Sequence, residues 1–218
     1  GDWSRSDKRL TLKNLAVAGL EYTLPQDWRD RWQATLPAWL DSVEVTRFTS
    51  NRNLIIDINP AFPFQLTSLD GSGENLLLAQ QHQWGIWSGK LSLNAAESTF
   101  NRTDLRHPSI ALSADQQQIQ VTELSAFSNK GLLEGTATVG QQPARPLTLQ
   151  LTGRAVPVNV LQNWGWPALP LTGDSNMQLQ LNGALTANQP LRPTGNGSLS
   201  VTTDSQQLQQ TMQAGEVR

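Results

Sequence analysis

Cysteine is missing from all 218 residues. The chain therefore has no means of building a disulfide framework, a zinc ribbon or a thiol nucleophile. Histidine is nearly missing: His82 and His107 stand far apart, which leaves no basis for a His-rich metal site. Charge is scarce as well. Charged residues make up 16% of the chain, against roughly 25% in an average soluble domain. The 16 Lys and Arg nearly offset the 18 Asp and Glu, for a net charge of −2. That balance offers no electrostatic grip on a phosphate backbone, so no nucleic-acid partner is expected. Long apolar runs are also lacking. None exceeds four residues, the length of Leu76-Leu77-Leu78-Ala79, far short of the roughly 20 residues that cross a bilayer. No secretory leader opens the sequence. The chain starts at Gly1-Asp2-Trp3 without an initiator Met and is expected to be a piece of something longer, with any membrane anchor lying outside it.

What replaces charge is Gln, Asn, Ser and Thr, and they are placed in a pattern. Leu147-Thr148-Leu149-Gln150-Leu151-Thr152 and Met177-Gln178-Leu179-Gln180-Leu181-Asn182 alternate strictly. Leu91-Ser92-Leu93, Ile119-Gln120-Val121-Thr122, Val43-Glu44-Val45-Thr46 and Leu199-Ser200-Val201-Thr202 do the same over shorter spans. Successive strand side chains point to opposite faces, so each segment carries one apolar and one polar face. Gly153, Gly173 and Gly183 each follow a Leu-polar pair, and Pro60, Pro63, Pro143 and Pro146 fall between strands. Both are turn punctuation. The expected fold is mostly β: a curved, largely antiparallel sheet, open like a half-barrel or groove, with one or two short amphipathic helices.

Two segments depart from the alternation. Pro25 to Leu40 reads as a helix, with Trp28, Trp32 and Leu36 on one face and an interruption at Pro37. Pro157 to Trp164, stopped by Gly165, fits a two-turn helix. From Thr202 on, the chain is polar and Gln-rich. The expected division is a single β domain over 1–201 and a frayed tail or linker over 202–218.

The short motifs that resemble catalytic or nucleotide-binding patterns are each incomplete. Gly71-Ser72-Gly73-Glu74-Asn75 begins like a dinucleotide fingerprint, but Leu76 holds the third glycine position. Gly89-Lys90 lacks the rest of a P-loop, and no Gly-x-Ser-x-Gly elbow occurs. Asp27 and Asp30 sit beside Arg29 and Arg31 and read as a solvated face. Neither a catalytic residue nor a cofactor is assigned. Tryptophan is the compositional anomaly, with eight Trp against five Phe and one Tyr. Trp28, Trp32, Trp39, Trp84, Trp87, Trp164 and Trp166 are candidates for capping the core or for an interface. They would serve as buried core, as a membrane-interface element or as sugar-stacking platforms, and core burial needs the fewest assumptions.

The run Gly153 to Pro167 with Leu169-Pro170-Leu171-Thr172-Gly173 sets a short helix between two Leu-Thr-Gly elements, followed by a further alternating strand. Together with Ala18-Gly19-Leu20-Glu21-Tyr22-Thr23-Leu24-Pro25, Arg52-Asn53-Leu54-Ile55-Ile56-Asp57-Ile58 and Trp84-Gly85-Ile86-Trp87-Ser88-Gly89, it resembles the AsmA family of Gram-negative envelope proteins. The resemblance runs from about Leu10 to Val201, and points to the C-terminal periplasmic portion of an enterobacterial branch. It implies a non-enzymatic domain at the periplasmic face of the inner membrane, anchored by a helix that this chain lacks. It implies a role in outer-membrane biogenesis, with phospholipid acyl chains as the partner along a β-groove. The candidate groove or core face is Leu91, Leu93, Leu147, Leu149, Leu151, Met177, Leu179, Leu181, Leu199 and Val201. The same leucines can form an ordinary closed core, the reading favoured for most strands. A structural adaptor that binds envelope proteins without lipid, and a carbohydrate-binding β domain, stay open as alternatives.

Overall fold

The computed structural model describes residues 3–6, 8–28, 36–184, 194–204, 207–213 and 216–217. Among them, fifteen strands form one sheet. They are β1 (Trp3–Ser6), β2 (Arg9–Ala18), β3 (Glu21–Thr23), β4 (Ser42–Asp57), β5 (Phe64–Gln80), β6 (Gln83–Asn94), β7 (Glu97–Phe100) and β8 (Thr103–Ala114). The series continues with β9 (Gln118–Ser128), β10 (Gly131–Gly140), β11 (Pro146–Pro157), β12 (Asp174–Ala184), β13 (Thr194–Thr202), β14 (Gln207–Gln213) and β15 (Glu216–Val217). One helix, α1 (Val158–Trp164), connects β11 to β12. From β4 onward every pairing is antiparallel, as the short turn-separated strands imply. Both β2 and β3 instead pair parallel with β4, and the long 24–41 connection makes that crossover possible.

Strand β7 pairs with both β5 and β8, while β6 also joins β5 to β8. Four strands thus close into a small ring within the sheet, with β1 to β4 on one side of it and β9 to β15 extending from the other. Ring closure forces curvature. A flat sheet would hold β5 and β11 about 24 Å apart, yet Leu66 of β5 and Leu151 of β11 line one cavity.

Glycine helps the apolar face fold inward. A Cβ on Gly153 would stand 2.7 Å from Met177 Cγ and 3.2 Å from Leu133 Cδ2. One on Gly73 would stand 2.7 Å from Leu76 Cδ1 and 3.2 Å from Leu91 Cδ1. At both positions the missing side chain is the space that neighbouring apolar groups occupy.

Helix α1 follows the sequence expectation: it begins after Pro157 and stops at Gly165, whose φ of 150° suits glycine. The other expected helix is only partly within the described residues. Trp32, Arg29, Asp30 and Arg31 lie outside them. Its flanks are turns: Trp28 N donates to the Pro25 carbonyl, and Leu40 N to the Pro37 carbonyl. The Gln-rich segment also differs from expectation. Gln207–Gln213 is a strand, paired with β13 from Thr202 to Gly197. Polar side chains do not prevent this, because the ladder is made of backbone groups that an edge strand leaves open. Leu208 adds an apolar contact, packing half-buried against the core.

Strands β2 and β3 are one extended path broken at Gly19 and Leu20, and a side chain bridges the break. Asn53, 2% exposed, donates Nδ2 to the Val17 carbonyl at 2.8 Å and accepts Leu20 N on Oδ1 at 2.9 Å. Replacing it removes two hydrogen bonds to the backbone at the break. Asn53→Ala is expected to cost about 1–3 kcal/mol, read as a lower urea midpoint; an unchanged midpoint would refute the bridging role.

Candidate functional site

In an antiparallel ladder, directly opposed residues share a face. Following the register across the strands therefore traces which side chains lie together. One row runs Leu93, Ile110, Leu124, Gly135, Leu151, Leu179, Leu199. A second runs Leu91, Leu112, Val121, Ala137, Leu149, Leu181. A third, nearer the helix, runs Ala126, Leu133, Gly153, Met177, Val201. A fourth, at the far end, runs Ala114, Ile119, Val139, Leu147. The rows between them, such as Gln120, Thr138, Thr148, Asn182, are polar and face the other way. The apolar face is thus continuous across at least six strands.

Cover is uneven along that face. Val158, Val160 and Leu161 of α1, each at most 2% exposed, press onto Met177, Leu179, Leu199 and Val201 in one cluster with Leu105, Ala126 and Leu133. Helix α1 is fastened there by three hydrogen bonds. Trp164 Nε1 donates to the Phe100 carbonyl at 2.9 Å, Asn163 Nδ2 to Thr103 Oγ1 at 3.2 Å, and Asn101 Nδ2 to the Asn163 carbonyl at 2.6 Å. Away from the helix, Leu91, Leu147 and Leu149 are only half-buried. The ten strand residues singled out from sequence therefore divide. Met177, Leu179, Leu199 and Val201 are closed core, Leu181 packs half-buried against that core, and Leu91, Leu147 and Leu149 line an open stretch. Leu93 and Leu151 belong to a cavity between the two.

That cavity measures about 410 Å³. Its wall combines the ring, through Leu66, Leu69, Phe100 and Leu105, with the extended sheet, through Leu124 and Leu151, and is closed on the helix side by Trp164. Polar residues in the wall are confined to Asn94, Ser109 and Ser125. A volume of this size lies within the roughly 300–1,000 Å³ usual for ligand sites. Periodicity missed Phe62, Leu66, Phe100, Leu105 and Leu133, because none belongs to a long alternating run and each lies on a different segment of the chain.

The tryptophans do not form a shared surface. Trp87 is buried, its Nε1 donates to the Gln83 carbonyl at 3.0 Å, and the Arg145 guanidinium carbon stands 4.5 Å from its ring centroid. Trp164 and Trp166 are half-buried against the helix cluster. Trp28 Nε1 donates to Asp57 Oδ2 at 2.9 Å, and its ring meets Phe64 edge-on. Trp39 and Trp84 are exposed. A sugar platform needs several accessible rings together, and covered Trp87 and half-buried Trp164 and Trp166 do not supply it.

Among the described residues, no group of three or more His, Asp or Glu could hold a metal ion, and no helix is long and apolar enough to cross a membrane. Burial lowers the Arg145 pKa from its ordinary value.

The fold and site define a class: a single-sheet β protein whose apolar face is roofed by a short helix at one end and open at the other. Over all 218 residues the chain is 55% identical to the AsmA family protein YicH of Escherichia coli strain K12, and it spans 38% of that protein's length. The chain is thus similar over its whole length to a part of an AsmA family protein. No family model and no solved structure matches it.

The division of the leucines is testable by stability. Leu199→Ala should cost about 2–5 kcal/mol, as a fully enclosed leucine does. Leu149→Ala should cost about 1 kcal/mol, since its side chain is only partly removed from water. Equal losses in denaturant midpoint would contradict the division.

Proposed function

We propose that the open apolar face is a trough that holds phospholipid acyl chains, with the cavity beside Trp164 as its inner end. The observation that carries this reading is the continuity of the two rows through Leu93 and Leu91 with a 410 Å³ apolar cavity. A sheet gains nothing from leaving such a strip unroofed unless something else covers it. An acyl chain suits it: each buried CH₂ contributes about 0.8 kcal/mol, and the contact asks for no directional partner. The role is binding and passage of lipid, with no bond made or broken. The similarity to an AsmA family protein supports placing the chain in the Gram-negative envelope. It supports a periplasmic segment of an inner-membrane-anchored protein that serves outer-membrane biogenesis. As a competing reading, an adaptor domain would cover the same strip with protein.

Photocrosslinking in cells separates the two. A photoreactive residue at position 149 or 151 should capture phospholipid, whereas one at Thr148, on the opposite face, should not. Capture of protein alone at position 149, or equal lipid capture at position 148, would defeat the lipid reading.

A further inference from the structure

Past Val139 and Leu147 the apolar rows end at a polar clasp. Gln141, itself buried, donates Nε2 to the Ile86 carbonyl at 2.7 Å and to the Asp115 carbonyl at 3.1 Å. Its Oε1 accepts from Arg145 Nη1 at 2.6 Å, and the guanidinium lies over the Trp87 ring. Gln116 Nε2 adds a bond to the Trp87 carbonyl at 3.1 Å. Strand β6 and the β8–β9 and β10–β11 turns are thereby bound side by side around one cation.

That cation has an unusual environment. Arg145 is partly buried, and among the described residues no carboxylate lies within ion-pair distance of it. Burial lowers its pKa, yet a guanidinium stays charged at neutral pH. A partly desolvated charge with no opposite charge beside it is costly to keep. Gln141 engages one of the five N–H donors of the fork. The other donors suit a planar or tetrahedral oxyanion, which arginine binds in bidentate fashion.

Its distance from the cavity carries the inference further. Leu151, in the cavity wall, lies on the strand that follows Arg145, about 20 Å away if the chain is extended. The hydrocarbon of one leaflet, about half of a ~30 Å bilayer core, covers most of that span, and the glycerol and phosphate at its head cover the rest. An acyl chain whose end reaches the cavity can therefore set its headgroup at the clasp.

We infer that Arg145, held by Gln141 and Trp87, docks the phosphate of a phospholipid whose acyl chains lie in the trough with their ends toward α1. This rests on the trough being a lipid site and adds to it a headgroup chemistry and a direction of lie. Glycerolipids lacking a phosphate fill the same trough without the clasp.

The test compares two probes with identical acyl chains, phosphatidylglycerol and diacylglycerol, presented to the 218-residue chain and counted by native mass spectrometry. The wild type should retain phosphatidylglycerol about tenfold better, the weight of one charge-assisted contact. Arg145→Gln should remove that preference while keeping diacylglycerol uptake, which also reports that the variant is folded. Arg145→Lys should restore only part of it, since the ammonium cannot bind bidentately. In the wild type the preference should shrink as salt rises. An unchanged preference in Arg145→Gln, or equal retention of both lipids by the wild type, overturns the clasp and leaves the trough standing. Retention of neither lipid overturns the trough itself. Competition by inorganic phosphate at equal concentration would make a free anion the ligand and also overturn the proposal.

Discussion

A sheet with one apolar face must have that face covered, and this chain carries a single short described helix to do so. The rest of the structure follows from that shortage. Seven residues of α1 roof the strip through Met177, Leu179, Leu199 and Val201. Where a β-sandwich would set a second sheet, this fold closes four strands into a ring, so that Leu66 and Phe100 meet Leu151 across one cavity. The remaining leucine rows stay half-covered. Core and trough are therefore one surface, distinguished only by how far the helix reaches.

The part legible in the sequence is the part where strands are regular. Leu147 to Thr152 and Met177 to Asn182 alternate without interruption, and their register is also unbroken. The face of every residue there follows from its position. Helix α1 was equally legible, since Pro157 and Gly165 mark its ends by fixed backbone preferences. Strand β5 was not. Ser68 and Asn75 adopt φ of 47° and 53°, the register shifts between Glu74 and Leu77, and the apolar run at Leu76 loses its period of two. The strand at Gln207–Gln213 escaped notice because backbone pairing leaves no trace in side-chain polarity.

The cavity was illegible for a different reason. Its rows run across strands, perpendicular to the chain. Leu93 and Ile110 are opposed residues, as are Leu151 and Leu179, yet more than a dozen positions separate each pair in sequence. A window along the chain sees one member of each row. Only the pairing register shows that Leu124 and Leu151 flank Gly135, whose missing side chain leaves room for Leu151 Cδ1.

Such a surface depends on register more than an ordinary core does. A slip of one residue in any strand would put a Thr or Gln into the apolar row and a Leu onto the wet face. Three devices oppose the slip. Asn53 fixes β4 against the broken strand on its outer side. The α1 bonds to Phe100 and Thr103 fix β11 and β12 against the ring. Gln141 ties the β10–β11 turn to β6 and to the β8–β9 turn at the far end. Each is a buried or half-buried amide or indole spending its hydrogen bonds on backbone or side-chain groups of another strand or turn. Such bonds bind positions instead of merely adding contact area. The scarcity of charge fits the same requirement. Exposed ion pairs contribute little to stability and tolerate many geometries, whereas Asn and Gln amides offer both a donor and an acceptor at a fixed spacing. A sheet that leaves its apolar face open cannot rely on a tightly filled core to select its register, so its polar side chains must do it.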